Sequence, residues 1–204
     1  HPSMANNELA GPAILVYLST FIANFKNKKY SYRFIFAPET IGAVTYISKN
    51  ITKLKKNTIA GFVVTCIGDS NQFSFVESKE NNSEINNIMH YIFKNKLNIK
   101  NYNFLPWAKD RSDSRQYSSN GVNLPFVTIS RAGPGKYKEY HTSQDSLKKV
   151  VNKKNVEESY NVLKKIFIFF EREYLDQRPL CVIKCEQFLQ KYDLYDSLSV
   201  SGSV

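Results

Sequence analysis

The stretch IAGFVVTCIGD, residues 59–69, gives the strongest indication of the fold class. It is an almost continuous run of apolar residues, without alternation between apolar and polar positions, and it stops at Asp69. A strand of this kind is buried on both faces, as in a parallel sheet that lies between two layers of helices. We therefore predict a central strand over residues 59–67.

Further strands and helices are predicted on both sides of this stretch. YRFIFAP (32–38) is aromatic and β-branched and ends at a proline, which predicts a second central strand over residues 32–37. VNLPFVTISR predicts a strand over residues 122–130 alongside, and QFSFVES (72–78) predicts another. Helical spacing of apolar residues covers residues 9–25, 39–51, 83–97 and 156–175. The alternation predicts an α/β fold, a three-layer sandwich with a mostly parallel central sheet and helices on both faces.

Length, composition and cysteine content indicate a soluble cytoplasmic protein. The 204 residues are 42% hydrophobic and 14% aromatic, which is enough for a sizeable core. The longest strongly apolar stretch, residues 166–170, is far too short to cross a bilayer, and no signal peptide is recognisable. Cys181 and Cys185 lack a second pair that would complete a structural zinc site, and Cys66 lies in an apolar run. We expect a reducing cytoplasm and no membrane partner.

The net charge of +10 raises the alternative of a nucleic-acid binder. The lysines, however, form short dispersed clusters at residues 26–29, 53–56 and 148–154, without a recognition helix or an RNA-binding motif around them. We therefore expect no specific nucleic-acid partner. A salt titration tests this alternative, because binding to phosphates weakens steeply as the salt concentration rises.

Polar residues gather where the predicted strands end. Glu39 and Asp69 each follow an apolar strand, His141 follows the strand at 122–130, and His1 precedes the first helix. In α/β sheets ligands bind outside the carboxyl ends of the strands, so we expect these four residues to converge. Two imidazoles and a carboxylate are ligands that zinc prefers, and a further glutamate can serve as the base toward a metal-bound water.

Each of these residues also has a purely structural explanation. An aspartate after a strand is commonly a turn or helix-cap residue, a lone histidine is commonly a hydrogen-bonded surface residue, and His1 can lie near a terminus by chance. His90 lies in the middle of a predicted helix, and we assign it no chemistry. Both explanations stay open on the residues alone.

Several motifs together carry a resemblance to a known family. They are HPSMANNELAGP (1–12), FAPETIGA (36–43), GFVVTCIGD (61–69), SDSRQY (112–117), GVNLPF (121–126) and YHTSQDSL (140–147). In this order the chain resembles the bacterial zinc-aminopeptidase-like family, whose members are often associated with surface-polysaccharide genes. That family has the fold of the bacterial leucyl aminopeptidases, a zinc exopeptidase sandwich.

The resemblance also implies a domain organisation. Residues 1–178 correspond to the aminopeptidase-like domain, which in the family begins upstream of His1, so we expect its first strands to be missing here. Residues 179–204 form a C-terminal extension, and RPLCVIKCEQFLQKYDLY (178–195) is similar to the stretch that leads toward a winged-helix region in the family.

The resemblance implies a role for each site residue. His1, Asn7, Asp69 and His141 match the positions of metal ligands, and Glu39 matches the general base. Arg115 and Tyr117 lie in a loop that reaches the site in the family, which implies substrate binding. Arg115 suits a substrate carboxylate or phosphate, although a salt bridge to Asp113 or to another acid of the loop is an equal alternative.

Two departures from the family pattern affect the predicted metal site. Asn7 stands where the aminopeptidases have a bridging aspartate, and a neutral amide is a poor bridge between two cations. Thr40 follows Glu39 where the aminopeptidases have a second glutamate. These changes favour one zinc ion over two, or none.

Two function hypotheses follow from the resemblance. The first is a zinc-dependent aminopeptidase-like hydrolase of a small peptide or aminoacyl amide, in which Glu39 activates a metal-bound water. The second is a non-catalytic relative with a degraded metal site, which acts as a binding module in surface-polysaccharide metabolism. A homo-oligomer is compatible with either hypothesis.

Overall fold

The computed structural model describes residues 4–80, 83–97, 99, 101–131, 133 and 136–174. Its strands are β1 (Gly61–Val64), β2 (Phe73–Val76), β3 (Tyr102–Leu105) and β4 (Phe126–Arg131). They form one sheet in the order β1-β4-β2-β3. The pairs β1–β4 and β2–β3 are parallel and the pair β2–β4 is antiparallel, so the sheet of the described residues is mostly parallel, as predicted.

The helices fall where the apolar spacing places them. They are α1 (Ala10–Asn24), α2 (Ile41–Asn57), α3 (Glu84–Asn95), α4 (Ser114–Tyr117) and α5 (Lys153–Arg172), with a π-helical turn at Ala5–Leu9 and a 3₁₀ turn at Trp107–Lys109. In α1, Ile14, Leu18 and Ile22 are buried at intervals of four residues, which is the spacing of one helix face. The four predicted helices are confirmed, whereas β3, α4 and the 3₁₀ turn were not predicted.

The prediction of a central strand over residues 32–37 is wrong for the described structure. Residues 31–38 run without helix or strand pairing. Side chains hold this segment instead, because the Tyr32 ring lies 4.9 Å from that of Phe167 and the Tyr32 hydroxyl donates a hydrogen bond to Glu171 Oε1 at 2.6 Å. Aromatic and β-branched residues favour a strand only where a neighbouring strand completes the ladder, and Phe36 is 54% exposed here.

The predicted strand over residues 59–67 exists, but it is shorter and is not central. It is β1, which covers residues 61–64 and lies at one edge of the described sheet. After Gly61 its residues are only partly buried, whereas all six residues of β4 are buried. The chain leaves the strand at Thr65, and Cys66 adopts the left-handed backbone region, with φ 47°. The inner strands of the described sheet are β2 and β4, and the sequence placed β4 alongside.

A separate apolar cluster joins α2, α4 and the start of β4. Its buried members are Ala43, Ile47, Leu54, Tyr117, Leu124 and Phe126. The rings of Tyr117 and Phe126 are stacked, with centroids 4.0 Å apart. This cluster fixes the loop between β3 and β4 against α2, and so it places Arg115 next to the segment that carries Glu39.

The described residues up to Glu171 belong to one compact unit. The predicted boundary between residues 178 and 179 lies outside the described residues and stays a prediction. No helix among the described residues is long and apolar enough to cross a membrane.

Candidate functional site at the carboxyl end of the sheet

The segment that follows β1 is hydrogen-bonded to the π-helical turn near the start of the chain. The Cys66 thiol donates a hydrogen bond to Asn7 Oδ1 at 3.2 Å, and the Thr65 hydroxyl donates one to the Asn7 carbonyl at 3.2 Å. Asn6 Nδ2 donates to Asp69 Oδ2 at 2.8 Å. Two predicted site positions, Asn7 and Asp69, therefore lie on segments that the fold brings together.

Asp145 ties the loop that follows β4 to the same turn. Its carboxylate accepts hydrogen bonds from the backbone N–H groups of Asn6 (2.8 Å) and Asn7 (3.0 Å). It also accepts one from the Tyr137 hydroxyl at 2.7 Å, and burial, together with this carboxylate, raises the pKa of Tyr137. Sequence reasoning placed Asp145 in the cluster around His141 but gave it no role. Asp145 and Asn7 are 138 residues apart in the sequence, so no pattern in the sequence around either residue indicates this contact.

Cys66 is a buried thiol at the centre of these contacts. Burial raises its pKa to about 11, although hydrogen bonds from Thr65 and Tyr137 act in the opposite direction. The group therefore stays a protonated thiol at neutral pH, and the thiolate is the form that binds metals. Cys66 acts here as a hydrogen-bond donor to Asn7.

Asp69 is buried and uses both carboxylate oxygens within the fold. Oδ1 accepts hydrogen bonds from the backbone N–H and the side-chain amide of Asn71, both at 2.7 Å. Oδ2 accepts the hydrogen bond from Asn6. This is the arrangement of a turn residue that stabilises the loop after β1.

His141 lies on the exposed side of the loop after β4. Its backbone has φ 57°, and its ring stacks on Tyr140 with a centroid distance of 3.8 Å. Burial raises the pKa of Tyr140, and the negative charges of Glu39 and Glu8 raise it further, so both carboxylates lie within electrostatic range of the ring on which His141 stacks. His1 lies outside the described residues.

The described residues do not fit a zinc site. Among them, no group of three or more His, Cys, Asp or Glu side chains could hold a metal ion. Asn7 Oδ1 accepts a hydrogen bond from the Cys66 thiol, and the oxygens of Asp69 accept three hydrogen bonds. A metal ion at either position would have to displace these donors. The predicted zinc ion and its four ligands stay a prediction.

Glu39 lines a polar cleft of about 420 Å³. The other residues of the cleft are Thr40, Trp107, Arg111, Ser112, Arg115, Gln116 and Ser119. Desolvation raises the pKa of the Glu39 carboxyl, and the negative charges of Asp113 and Glu8 add to this effect. A carboxyl with a raised pKa in a cleft is a candidate for proton transfer.

Arg115 is one of two guanidinium groups in the cleft. It lies over the Trp107 ring at 5.5 Å, and its Nη1 donates a hydrogen bond to the Asp110 carbonyl at 3.4 Å. Asp113 accepts a hydrogen bond from the Thr40 backbone N–H at 2.8 Å. Among the described residues, Arg115 and Asp113 form no ion pair. The charge of Arg115 acts on the buried Asp110 carboxyl instead and lowers its pKa against the larger effect of burial, and the predicted role of Arg115 as a substrate anchor stays a prediction.

Tyr117 lies in the apolar cluster that joins α2, α4 and β4, and it is 5% exposed. Burial raises its pKa to about 12. Its ring packs on Phe126, so the structure gives Tyr117 a packing role that supports the loop of Arg115. The predicted contact between Tyr117 and substrate stays a prediction that this placement does not support.

The chain is similar to a known protein family and to a curated bacterial protein. A family model described as "Domain of unknown function (DUF4910)" matches residues 1–173. A protein of Clostridium acetobutylicum, named "Putative polysaccharide biosynthesis protein with aminopeptidase-like domain", is 38% identical over 199 residues, which are 96% of this chain and 43% of that protein. The chain thus spans less than half the length of this curated relative.

Solved structures show the same relationship. A crystal structure described as a "putative peptidase" from Clostridium acetobutylicum has 32% identity and a TM-score of 0.77, and the match covers 95% of this chain and 46% of that one. A zinc aminopeptidase from Bacillus subtilis has 13% identity and a TM-score of 0.67, over 81% of this chain and 42% of that one. These likenesses confirm the predicted aminopeptidase-like resemblance and the zinc exopeptidase-like fold.

Proposed function

The chain belongs to the family described as "Domain of unknown function (DUF4910)", and from this premise we propose that it acts as an aminopeptidase-like hydrolase on an amide or peptide bond. The substrate is a small peptide or an aminoacyl amide, and the reaction takes place in the cleft that Glu39 lines. The names of the two Clostridium acetobutylicum relatives support a peptidase-like activity.

The environment of Glu39 is the observation that carries this proposal. A general base works best when its pKa approaches the working pH, and both desolvation and nearby negative charges move the pKa of Glu39 upward. The ionised carboxyl takes a proton from water while the water oxygen bonds to the carbonyl carbon. The protonated carboxyl then gives this proton to the leaving amine while the carbon–nitrogen bond breaks.

The rest of the cleft supplies positive charge and positioning. Arg111 and Arg115 line it together with Glu39, and guanidinium groups orient anionic groups through paired N–H donors. Asp113 holds the Thr40 backbone N–H, which fixes the residue next to Glu39 in its strained backbone conformation, with φ 61°. In the proposed proton transfer, Glu39 moves the proton, the two arginines orient the substrate, and the hydrogen bond to Asp113 positions the backbone beside Glu39.

A second candidate function is favoured by the contacts of the predicted metal ligands. Asn7 and Asp69 are both satisfied by hydrogen bonds within the fold, which is what a relative that has lost its metal site would show. Such a relative would bind its ligand without hydrolysis, as a module in polysaccharide biosynthesis, the process named for the Clostridium acetobutylicum relative.

Hydrolysis of an aminoacyl amide by the parent chain and by Glu39→Gln separates the two candidates. A glutamine cannot accept the water proton, so we expect the variant to lose about a hundredfold or more of the rate. Glu157→Gln is the matched control, because Glu157 is an exposed carboxyl on α5 that does not line the cleft. Release of amine is measured, together with the metal content of protein purified without chelator.

The outcomes point to different functions. Hydrolysis that survives in Glu157→Gln and disappears in Glu39→Gln supports the hydrolase. A parent chain that binds no metal and releases no amine supports the non-catalytic module. Equal rates in the parent and in Glu39→Gln would exclude Glu39 as the base.

A further inference from the structure

We propose that the cleft around Trp107 is a binding site for the carboxylate or phosphate group of a small polar ligand, with Arg111 and Arg115 as the groups that hold this oxyanion. This proposal rests on the proposed function, because it takes the cleft to be the place where the substrate binds. It adds the chemical class of the group that the substrate presents to the cleft, a carboxylate or a phosphate.

The first observation is that the charged residues that line the cleft are two guanidinium groups, Arg111 and Arg115, and a single carboxylate, Glu39. Among the described residues, neither Arg111 nor Arg115 takes part in an ion pair, and Asp113 is hydrogen-bonded to the Thr40 backbone. Asp110 is fully buried and accepts hydrogen bonds from Ser114 and from the Ser112 backbone N–H. Two cations in one concave surface attract anions, and the net charge of +10 adds to this attraction.

The second observation concerns Trp107. Its ring faces two cations, since Arg115 lies 5.5 Å and Lys79 lies 5.8 Å from the ring centre. Its indole Nε1 is buried and has no hydrogen-bond partner among the described residues. A buried donor without an acceptor is costly, and a ligand oxygen in the cleft can satisfy it once the indole ring shifts on binding.

The third observation is the polar lining between these charged groups. Thr40, Ser112, Gln116 and Ser119 bring hydroxyl and amide groups to the cleft. Such groups suit ligand hydroxyls, while the guanidinium groups suit an oxyanion in a bidentate geometry. A volume of about 420 Å³ lies within the usual range for small-molecule sites.

Glu39 lines the same cleft and sets a condition on binding. Its negative charge opposes an anion held by Arg115, and protonation of Glu39 removes that repulsion. Anion binding should therefore become tighter in Glu39→Gln, although the same substitution abolishes the proposed hydrolysis. The two proposals thus make opposite predictions for one variant.

Trp107 provides the test, because it is the single tryptophan of the chain. Its fluorescence is followed while glucuronate, glucose 1-phosphate or neutral glucose is added at constant ionic strength, and calorimetry repeats each titration. We expect a saturable change with glucuronate, with glucose 1-phosphate or with both, and none with glucose. A response to glucuronate alone identifies a carboxylate, and a response to glucose 1-phosphate alone identifies a phosphate.

Variants assign the response to the cleft. Arg115→Gln and Arg111→Gln should each weaken binding by about tenfold, the loss expected for one charge-assisted contact. Lys109→Gln is the matched control, because it removes the same charge close to Trp107 from a residue outside the cleft lining. Circular dichroism checks that each variant is folded.

Three results would overturn the proposal. They are the absence of a saturable response to both anions, an equal response to glucose, and equal losses of affinity in Lys109→Gln and Arg115→Gln. None of these ligands has an amide bond, so failure of hydrolysis does not affect the test. Tighter binding in Glu39→Gln would support the anion site even if the parent hydrolyses nothing.

Discussion

Asn7 shows how one side chain changes the chemistry at the end of β1. Its Oδ1 accepts the hydrogen bond of the Cys66 thiol, and its Nδ2 donates one to Glu8 Oε1 at 2.8 Å. An aspartate here would have only acceptors and would place a second negative charge beside Glu8. The Asn7 amide is therefore stable without a bound cation. A carboxylate at this position would be stabilised by a cation that offsets its repulsion with Glu8.

Asp110 shows how a buried carboxyl couples the cleft loop to pH. Burial raises its pKa from 3.8 to about 6, although hydrogen bonds from the Ser112 and Arg111 backbone and from Thr128 act in the opposite direction. Between these two values the folded chain binds more protons than the unfolded chain, so this group's contribution to the free energy of unfolding falls as the pH rises. The shift corresponds to about 3 kcal/mol at most.

We expect Asp110→Asn to remove this pH dependence. Relative to the parent, the free energy of unfolding of the variant should rise from about pH 4 to about pH 6 and then level off. Urea denaturation across this range measures the difference. A difference that stays constant between these pH values would show that Asp110 titrates normally.

The segment between α1 and α2 is held by the end of α5 rather than by a strand. Glu171 is buried, and its carboxylate accepts hydrogen bonds from the backbone N–H groups of Lys29 (2.6 Å) and Tyr30 (3.4 Å) and from the Tyr32 hydroxyl. Burial and the nearby Glu171 charge both raise the pKa of Tyr32, which keeps its hydroxyl protonated as a donor. One carboxylate thus fixes three groups of this segment.

Glu171→Gln should therefore destabilise the chain. The variant keeps one acceptor oxygen in place of two and adds a donor that lacks an acceptor here, so we expect a loss of about 1–3 kcal/mol in the free energy of unfolding. Urea denaturation measures this loss. Glu157→Gln, an exposed change on the same helix, should cost less than about 0.5 kcal/mol, and equal losses in both variants would contradict the role of Glu171.

Helices were easier to predict from this sequence than strands. α3 was predicted because Ser83 precedes it and because the apolar residues Ile85, Ile88 and Ile92 recur at the helical period. Periodicity is local, and it survives whatever the helix packs against. The run at residues 32–37 has an equally apolar pattern but no paired neighbour, and β3 (YNFL) was missed because its alternation is short and partly polar.

The site was predictable at the level of segments more than of contacts. The rule that ligands lie beyond the carboxyl ends of strands pointed to His1, Glu39, Asp69 and His141, and their convergence stays a prediction. The sequence around each residue does not show which side chain forms a hydrogen bond with which partner. Asn6 rather than Asn7 contacts Asp69, and Asp145 joins the turn through backbone N–H groups, which depend on the exact packing of three segments.

The relationship to the aminopeptidases concerns the fold of the whole chain more than its metal chemistry. The TM-score of 0.67 to the Bacillus subtilis zinc aminopeptidase comes with only 13% identity, so the backbone is shared while most side chains differ. By the resemblance described above, Asn7 and Thr40 are each predicted to replace a carboxylate of the aminopeptidase pattern by a neutral group. The fold therefore offers a scaffold on which the metal site can be tested by restoration.

Restoring both carboxylates tests whether the metal site can be recovered. We expect Asn7→Asp combined with Thr40→Glu to raise the zinc stoichiometry above that of the parent, because two anionic ligands attract the cation more strongly. Without zinc, the variant should melt at a lower temperature than the parent, since the introduced carboxylate cannot donate the hydrogen bond that Asn7 gives to Glu8. Metal analysis and thermal denaturation with and without zinc measure both effects. An unchanged zinc content would show that the geometry no longer suits a metal.

The pH dependence of kcat/KM for amide hydrolysis tests most directly whether Glu39 is the base in the cleft. Glu39 accepts a proton only when ionised, so the rate should fall as the pH falls through its raised pKa, at a midpoint above 4.5. Asp113→Asn removes a negative charge that raises this pKa and keeps an oxygen for the Thr40 N–H. We predict that the acidic limb moves to lower pH in this variant. If kcat/KM does not fall at low pH, or if the fall occurs at the same pH in Asp113→Asn and in the parent, Glu39 is not the base.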